Sequence, residues 1–232
     1  TAAHDLKNPL ISILLVADLL NYTPLTKLFR KALNMMQRAT ESMTNLITSL
    51  LETIRVESTA IFTFEPCQVT DLIRRSIEDL RPLADARKHT IEFEPPPEPI
   101  LIMGDPSRLN SVMSNLLSNA IKFTDPGGRI RVSVQWDDEK ATVNVTDNGP
   151  GISEDEINRV FEHLFRGRAA VRDPNNPVEG TGLGLALAKT VIEQHGGKIW
   201  VSSKEDLGAT FSFSLPREPT PKTGSLRRET SE

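Results

Sequence analysis

The chain contains four clusters of residues whose types and spacing could support chemistry. The first cluster begins with His4 and Asp5 and includes Asn8 one helical turn later. A neutral imidazole is a competent nucleophile near neutral pH, and an adjacent carboxylate can fix its tautomer and take up its proton. Asn8 falls on the same helix face and could orient a water or a substrate carboxylate. The alternative for this cluster on its own is a solvated surface histidine.

The second cluster places Asn115, Asn119 and Lys122 on one face of a predicted helix. Amide oxygens are suitable ligands for Mg²⁺, and an ammonium group suits a phosphate. The spacing suits a metal and phosphate site, but taken alone this cluster favours a polar face turned to water.

Two glycine-rich segments form the third and fourth clusters. Asp147 directly follows a predicted strand and opens the sequence Asp-Asn-Gly-Pro-Gly-Ile. A carboxylate there can accept a hydrogen bond from an exocyclic amine, and the glycines allow close approach of the backbone. Residues 180–185, Gly-Thr-Gly-Leu-Gly-Leu, lead into a helix whose N-terminus could seat phosphates. This last segment is neither a P-loop nor a Rossmann fingerprint, because both end differently.

Composition excludes several classes of protein. The chain has 232 residues, with 27 Lys and Arg against 31 Asp and Glu, and its net charge of −4 argues against nucleic-acid binding. A single cysteine, Cys67, rules out a disulfide framework. No apolar run approaches the roughly 18 residues of a membrane span, so we expect a cytoplasmic fragment without membrane contact. The chain opens on Thr1, which indicates a piece of a longer parent that could carry a membrane anchor.

The apolar pattern predicts an α+β organisation. In residues 1–60, spacings of three and four predict two amphipathic helices in an antiparallel hairpin. A hairpin with one apolar stripe is expected to form a dimeric four-helix bundle, although docking onto its own chain is the alternative. Further helices are predicted over 69–83, 106–123 and 183–195, with a helical stretch within 154–165, and strands over 90–93, 100–103, 129–136, 141–146, 198–203 and 209–215. These elements predict a two-layer α/β sandwich with a mixed sheet.

The order of the four clusters is more specific than any one of them. A His-Asp pair on a helical hairpin, an Asn box, an Asp-x-Gly-x-Gly box and a Gly-x-Gly-x-Gly box resemble the sensor histidine kinases of two-component signalling. The resemblance implies a dimerisation and phosphoacceptor domain in residues 1–60. It implies an ATP-binding domain shared with gyrase-type ATPases, with a mobile lid, in residues 61–215. Residues 216–232 are expected to form a disordered tail or linker.

The resemblance also implies roles for single residues. His4 would be the phosphoacceptor, Asp5 its acid/base partner, and Asn8 would support dephosphorylation of a response regulator. The nucleotide positions implied are the Mg²⁺ ligands Asn115 and Asn119, the phosphate contact Lys122, the adenine contacts Phe123 and Asp147, and the loop residues Gly149, Gly151, Ile152, Gly180, Gly182, Leu183 and Gly184.

Residues 161–166 resemble the aromatic F box of the same family. Phe161 and Phe165 would secure the lid, and His163 between them is interpreted as structural. Three arginines of the expected lid could reach phosphates or face solvent: Arg166, Arg168 and Arg172.

The mechanism implied is transfer of the ATP γ-phosphate to His4 and then to an aspartate of a receiver protein. Asn115 stands where hydrolysing relatives carry Glu, which should suppress wasted hydrolysis. Two alternatives remain: a related kinase that phosphorylates serine on a partner, and a degenerate sensor without activity. The hairpin counts against the first, and the intact Asn, Asp and Gly positions count against the second.

Overall fold

The computed structural model describes residues 62–171 and 181–217, together with the helical positions Leu33, Met36 and Thr40. Leu33 and Thr40 are buried and Met36 is exposed. All three positions are helical, in agreement with the second predicted helix. The two buried residues, Leu33 and Thr40, are seven apart and therefore share a helix face. The predicted hairpin as a whole, its dimer, His4, Asp5, Asn8, Arg172, Gly180 and most of the tail lie outside the described residues.

A five-stranded mixed sheet forms one layer of the described part of the chain. Its strands are β2 (Thr90–Phe93), β4 (Arg129–Trp136), β5 (Lys140–Asp147), β6 (Lys198–Ser203) and β7 (Ala209–Pro216). They are arranged in the order β2-β4-β5-β7-β6. Strand β2 runs parallel to β4, and the other neighbouring pairs are antiparallel. The predicted mixed sheet is therefore confirmed.

A separate two-stranded ribbon pairs β1 (Glu65–Gln68) with β3 (Leu101–Gly104). Strand β1 was not predicted, because Glu-Pro-Cys-Gln shows no alternation of apolar and polar residues. Its pairing with β3 buries Cys67 opposite Ile102. Burial raises the pKa of the Cys67 thiol above its ordinary value.

Three long helices cover one face of the sheet: α1 (Val69–Ala86), α2 (Pro106–Phe123) and α4 (Gly184–Gln194). One continuous core joins their apolar faces to the inward residues of the strands, such as Val132, Val143 and Phe213. The alternate strand residues carry polar side chains, and the Ser212 hydroxyl donates to Asn144 Oδ1 at 2.8 Å. One apolar face and one polar face make a two-layer sandwich, as predicted.

Helix α2 begins where its sequence places a cap. The carboxylate of Asp105 accepts hydrogen bonds from the backbone N–H groups of Ser107 and Arg108, each at 3.1 Å. Pro106 occupies the first turn, where a missing N–H costs nothing. The helix that carries the Asn box is thus fixed in register from its first residue.

The short helical stretch predicted near residues 154–165 is present at the start of that range. Helix α3 covers only Glu154–Ile157, and turns follow it. Leu164 adopts a φ of 62°, which is incompatible with a right-handed helix. Its N–H donates to the carbonyl of Gly182 at 2.9 Å. Tertiary hydrogen bonding therefore overrides local propensity here. A short 3₁₀ helix over Arg168–Val171, which was not predicted, follows.

The ends of the other predicted helices and strands lie within three residues of the observed ends. Helix ends commonly fray, so small differences of this kind are expected. Across the described ranges, none of the helices is both long and apolar enough to cross a membrane.

His195 joins the end of α4 to the start of α2. Its imidazole is only 5% exposed and packs against the rings of Phe62 and Phe64, with centroids 5.3 Å and 4.9 Å away. Nε2 accepts the N–H of Asp105 at 2.9 Å, so Nδ1 carries the proton and donates it to the carbonyl of Val191 at 2.7 Å. This geometry requires the neutral ring.

The neutral ring makes stability depend on pH. Burial lowers the pKa of His195 below its ordinary value of 6.5, and the nearby Asp105 and Arg108 act in opposite directions. The unfolded chain therefore binds a proton more readily, so the free energy of unfolding should fall as the pH drops below 6.5. We expect His195→Gln to flatten this dependence in thermal melts between pH 7.5 and 5. The exposed His163→Gln should leave it in place, and equal slopes in all three chains would contradict the assignment.

Candidate functional site

A cavity of about 540 Å³ opens between α2, the loop after β5, the segment from α3 to the 3₁₀ helix, and the start of α4. The predicted site residues that line it are Asn115, Asn119, Lys122, Phe123, Asp147, Gly151, Ile152, Gly182 and Gly184. Three of the four clusters thus meet in one place, although they are far apart in the sequence.

Helix α2 contributes one wall of the cavity. Leu116, Leu117 and Ile121 are fully buried in the core, which turns the opposite face, with Asn115 and Asn119, into the cavity. The helical period of 3.6 residues separates the two faces.

Asp147 ends β5 at the floor of the cavity and is only 8% exposed. Its Oδ1 accepts the N–H of Gly149 at 2.9 Å. Burial raises the pKa of Asp147 above its ordinary value of 3.8, although hydrogen bonds from the N–H groups of Gly149 and Ala209 oppose this. The carboxylate is therefore a desolvated acceptor with lone pairs to offer a ligand.

The start of α4 approaches α2 closely. A Cβ atom at Gly184 would lie 2.9 Å from Oδ1 of Asn115, so any larger residue here would have to displace this amide. The hydroxyl of Thr181 accepts the N–H of Leu183 at 3.3 Å just before the helix begins. The result is a cradle in which backbone N–H groups at a helix N-terminus face the amide side chains of α2.

Two predicted loop residues support the site without lining it. Gly149 supplies the N–H to Asp147, and Leu183 is buried at the start of α4.

The segment between α3 and the 3₁₀ helix is tied by its own contacts. Phe165 lines the cavity and stacks under the guanidinium of Arg159, whose Cζ is 4.6 Å from the ring centroid. Phe161 packs edge-on against Phe211, with centroids 6.3 Å apart. His163 is exposed and does not line the cavity.

Two of the three arginines in this segment are described, and they differ. Arg166 lines the cavity, whereas Arg168 forms an ion pair with Asp155 at 2.7 Å. The backbone N–H of Arg168 donates to the carboxylate of Glu156 at 2.8 Å. Arg168 thus holds the segment together rather than facing the cavity.

Sequence reasoning missed several lining residues, including Glu156, Thr181, Ala209 and Phe211. The alternation of β7 indicates that Ala209 and Phe211 point inward, but only the sheet order brings them beneath the cavity. No signal in the sequence identifies Glu156 as a lining residue.

A metal held by this chain would depend on the amides. In the ranges that the structure describes, no group of three or more His, Cys, Asp or Glu side chains could hold a metal ion. The donor set of Asn115 and Asn119 fits Mg²⁺, which commonly takes few protein ligands and completes its octahedron with phosphates and water.

Comparison with known proteins agrees with the fold. Residues 104–219 match the family described as histidine kinase-, DNA gyrase B- and HSP90-like ATPases. Residues 1–59 match the His Kinase A phospho-acceptor domain. The described fold is thus that of an ATPase of this type. The chain belongs to the sensor histidine kinases.

Relatives extend over nearly all of the chain. It is 29% identical to the adaptive-response sensory kinase SasA of Synechococcus elongatus, over 92% of this chain and 57% of that protein. It is 30% identical to the sensor histidine kinase RppB of Synechocystis, over 93% of this chain and 47% of that protein. The chain thus spans about half the length of these relatives.

A solved histidine kinase structure is similar to this chain. Full-length ShkA in complex with AMPPNP is 27% identical, with a TM-score of 0.72 over 95% of this chain and 45% of that chain.

Proposed function

We propose that this chain is the catalytic core of an autophosphorylating protein histidine kinase. The observation that carries the proposal is the convergence of Asn115, Asn119, Lys122 and Asp147 on one cavity. The phosphoacceptor match over residues 1–59 of the same chain supplies the second substrate.

The cavity suits a purine nucleotide that carries an exocyclic amine. Asp147 offers a buried carboxylate to the amine of adenine, and the ring of Phe123 at the same cavity covers the base. Asn115 and Asn119 would hold Mg²⁺, which would neutralise charge on the phosphate oxygens. Lys122 and the start of α4 contact the phosphates in this arrangement.

The chemical step needs groups outside the cavity. A ring nitrogen of His4 attacks the γ-phosphorus while the bond from that phosphorus to the bridging oxygen breaks, and ADP leaves with the electron pair. Asp5 takes the ring proton. In the second step, a carboxylate of a response regulator attacks the phosphorus, and the phosphorus–nitrogen bond breaks. Asn8 would support a separate reaction, in which water attacks the phosphorus of the phosphorylated regulator and the aspartate leaves.

The cavity offers little for hydrolysis. Asn115 is an amide and cannot act as a general base. Glu156 does line the cavity, but its carboxylate is engaged by the N–H of Arg168. We infer that bound ATP is kept for transfer to His4, and this weighs against a simple ATPase.

The proposal extends to the arrangement of the chain. Residues 1–60 form the dimerisation and phosphoacceptor domain of a homodimer, residues 61–215 bind ATP, and residues 216–232 form a tail. The segment between α3 and α4, with Gly180 and Gly182, acts as a lid over the phosphates. We place the protein in the cytoplasm, where ATP and a response regulator are available, whether or not a longer parent is anchored.

Incubation with Mg²⁺ and γ-labelled ATP tests the proposal. We expect label that is acid-labile and base-stable, and its complete loss in His4→Gln, because no other residue would serve as acceptor. His163→Gln is the matched control, since it removes an exposed imidazole and should retain full labelling. Label that persists in His4→Gln would contradict the proposal and favour a serine kinase instead.

A further inference from the structure

The loop that follows Asp147 is held against the turn between β6 and β7. The N–H of Asp206 donates to the carbonyl of Pro150 at 2.7 Å. A Cβ atom at Gly151 would overlap the carbonyl oxygen of Lys204, so the two backbones are in direct contact. This turn, residues 204–208, does not line the cavity, yet it backs the loop that does.

One hydroxyl bridges the loop and the turn. Ser203, the last residue of β6, accepts the N–H of Ile152 at 2.8 Å and donates to the carbonyl of Gly208 at 2.7 Å. Both of its partners are backbone groups, and the hydroxyl uses its proton and a lone pair at the same time. Ser203 is half-buried, so water would replace these bonds poorly.

The two partners of Ser203 lie in the two segments whose N–H groups donate to Asp147. Ile152 ends the loop that begins at Asp147 and lines the cavity. Gly208 precedes Ala209, whose N–H donates to the carboxylate of Asp147. The bridge therefore fixes the loop on one side of this carboxylate and the strand on the other.

We propose that Ser203 is a positioning residue that holds Asp147 in register for the exocyclic amine of the base. This inference rests on the proposed function, because it assigns Asp147 to adenine. Ser203 acts through the loop and the turn and does not touch the nucleotide. It sets the affinity for ATP and the preference for ATP over GTP, and leaves the phosphoryl-transfer step itself unchanged.

Titration calorimetry with ATP and with GTP tests the inference on the full chain. Ser203→Ala removes both hydrogen bonds, and we expect ATP to bind about tenfold more weakly, with a smaller preference for ATP over GTP. In labelling assays KM for ATP should rise while kcat stays unchanged. Ser203→Thr keeps the hydroxyl and should restore most of the affinity.

Controls separate positioning from general stability. Ser202→Ala changes the neighbouring exposed hydroxyl on the opposite face of β6 and should bind ATP normally. If Ser203→Ala does not fold, Ser203→Cys retains a side chain of similar size with a weak donor and should show the same change in preference.

Two results would overturn the inference. The first is a Ser203→Ala chain that melts earlier but keeps the native affinity and preference for ATP. If Asp147→Asn loses ATP in the same experiment, the proposed function stands and only the role of Ser203 fails. The second is a native chain that binds no ATP, which would remove both proposals together.

Discussion

Asparagine in place of Asp147 is expected to weaken ATP binding by about a hundredfold. The carboxylate is nearly buried, and under the proposed function it is the charged acceptor for the adenine amine. Loss of a charge-assisted hydrogen bond in such a place costs about 2.7 kcal/mol, which corresponds to that factor. The replacement amide also presents donors where both the base and the neighbouring N–H groups already donate.

Asp138→Asn is the control for this substitution. Asp138 is an exposed aspartate in the connection between β4 and β5, and its replacement should leave ATP affinity unchanged. Since burial raises the pKa of Asp147, the native chain should also lose affinity on acidification at a higher pH than an ordinary carboxylate would cause. Equal affinities of native chain and Asp147→Asn would remove Asp147 from the site.

Alanine in place of Gly208 is expected to destabilise the fold by about 3 kcal/mol. Two costs add at this position. Its φ of 89° lies in the left-handed region, and a Cβ atom would overlap the carbonyl of Asp147. Because that carbonyl is backbone in the central strands, no side-chain rotation can relieve the overlap.

Gly127 offers a matched control for the steric part of this cost. Its φ is 82°, but a Cβ atom there would meet nothing within 4 Å. Gly127→Ala should therefore cost only the strain of the left-handed backbone, about 1 kcal/mol. Chemical denaturation of the two variants measures both values. Equal losses would show that a Cβ atom at Gly208 does not clash with the carbonyl of Asp147.

Local residue patterns were sufficient to predict those helices and strands whose sequences show a clear periodicity. The amphipathic pattern predicted both ends of α2, and alternation predicted both ends of β4. The same holds for the site, where Asn115, Asn119 and Asp147 were identified from residue type and spacing. Each of these patterns lies within a few residues of the helix, strand or site residue that it predicts.

Features set by distant partners could not be predicted in this way. Strand β1 exists because β3 pairs with it, and α3 ends early because Leu164 bonds to Gly182. The bridge made by Ser203 depends on the order of strands in the sheet, which no local pattern encodes. Candidate site residues are therefore easier to predict from this sequence than the tertiary contacts that position them.

The order of strands also bears on how such a domain can vary. Strands β5 and β7 are neighbours, although residues 148–208, with most of the cavity loops, lie between them in the chain. The entropy of closing a loop grows only slowly with its length, by about 0.6 kcal/mol for each doubling. Insertions between α3 and α4 would thus cost the sheet little. Evolution can therefore lengthen or shorten this part of the chain without rebuilding the core.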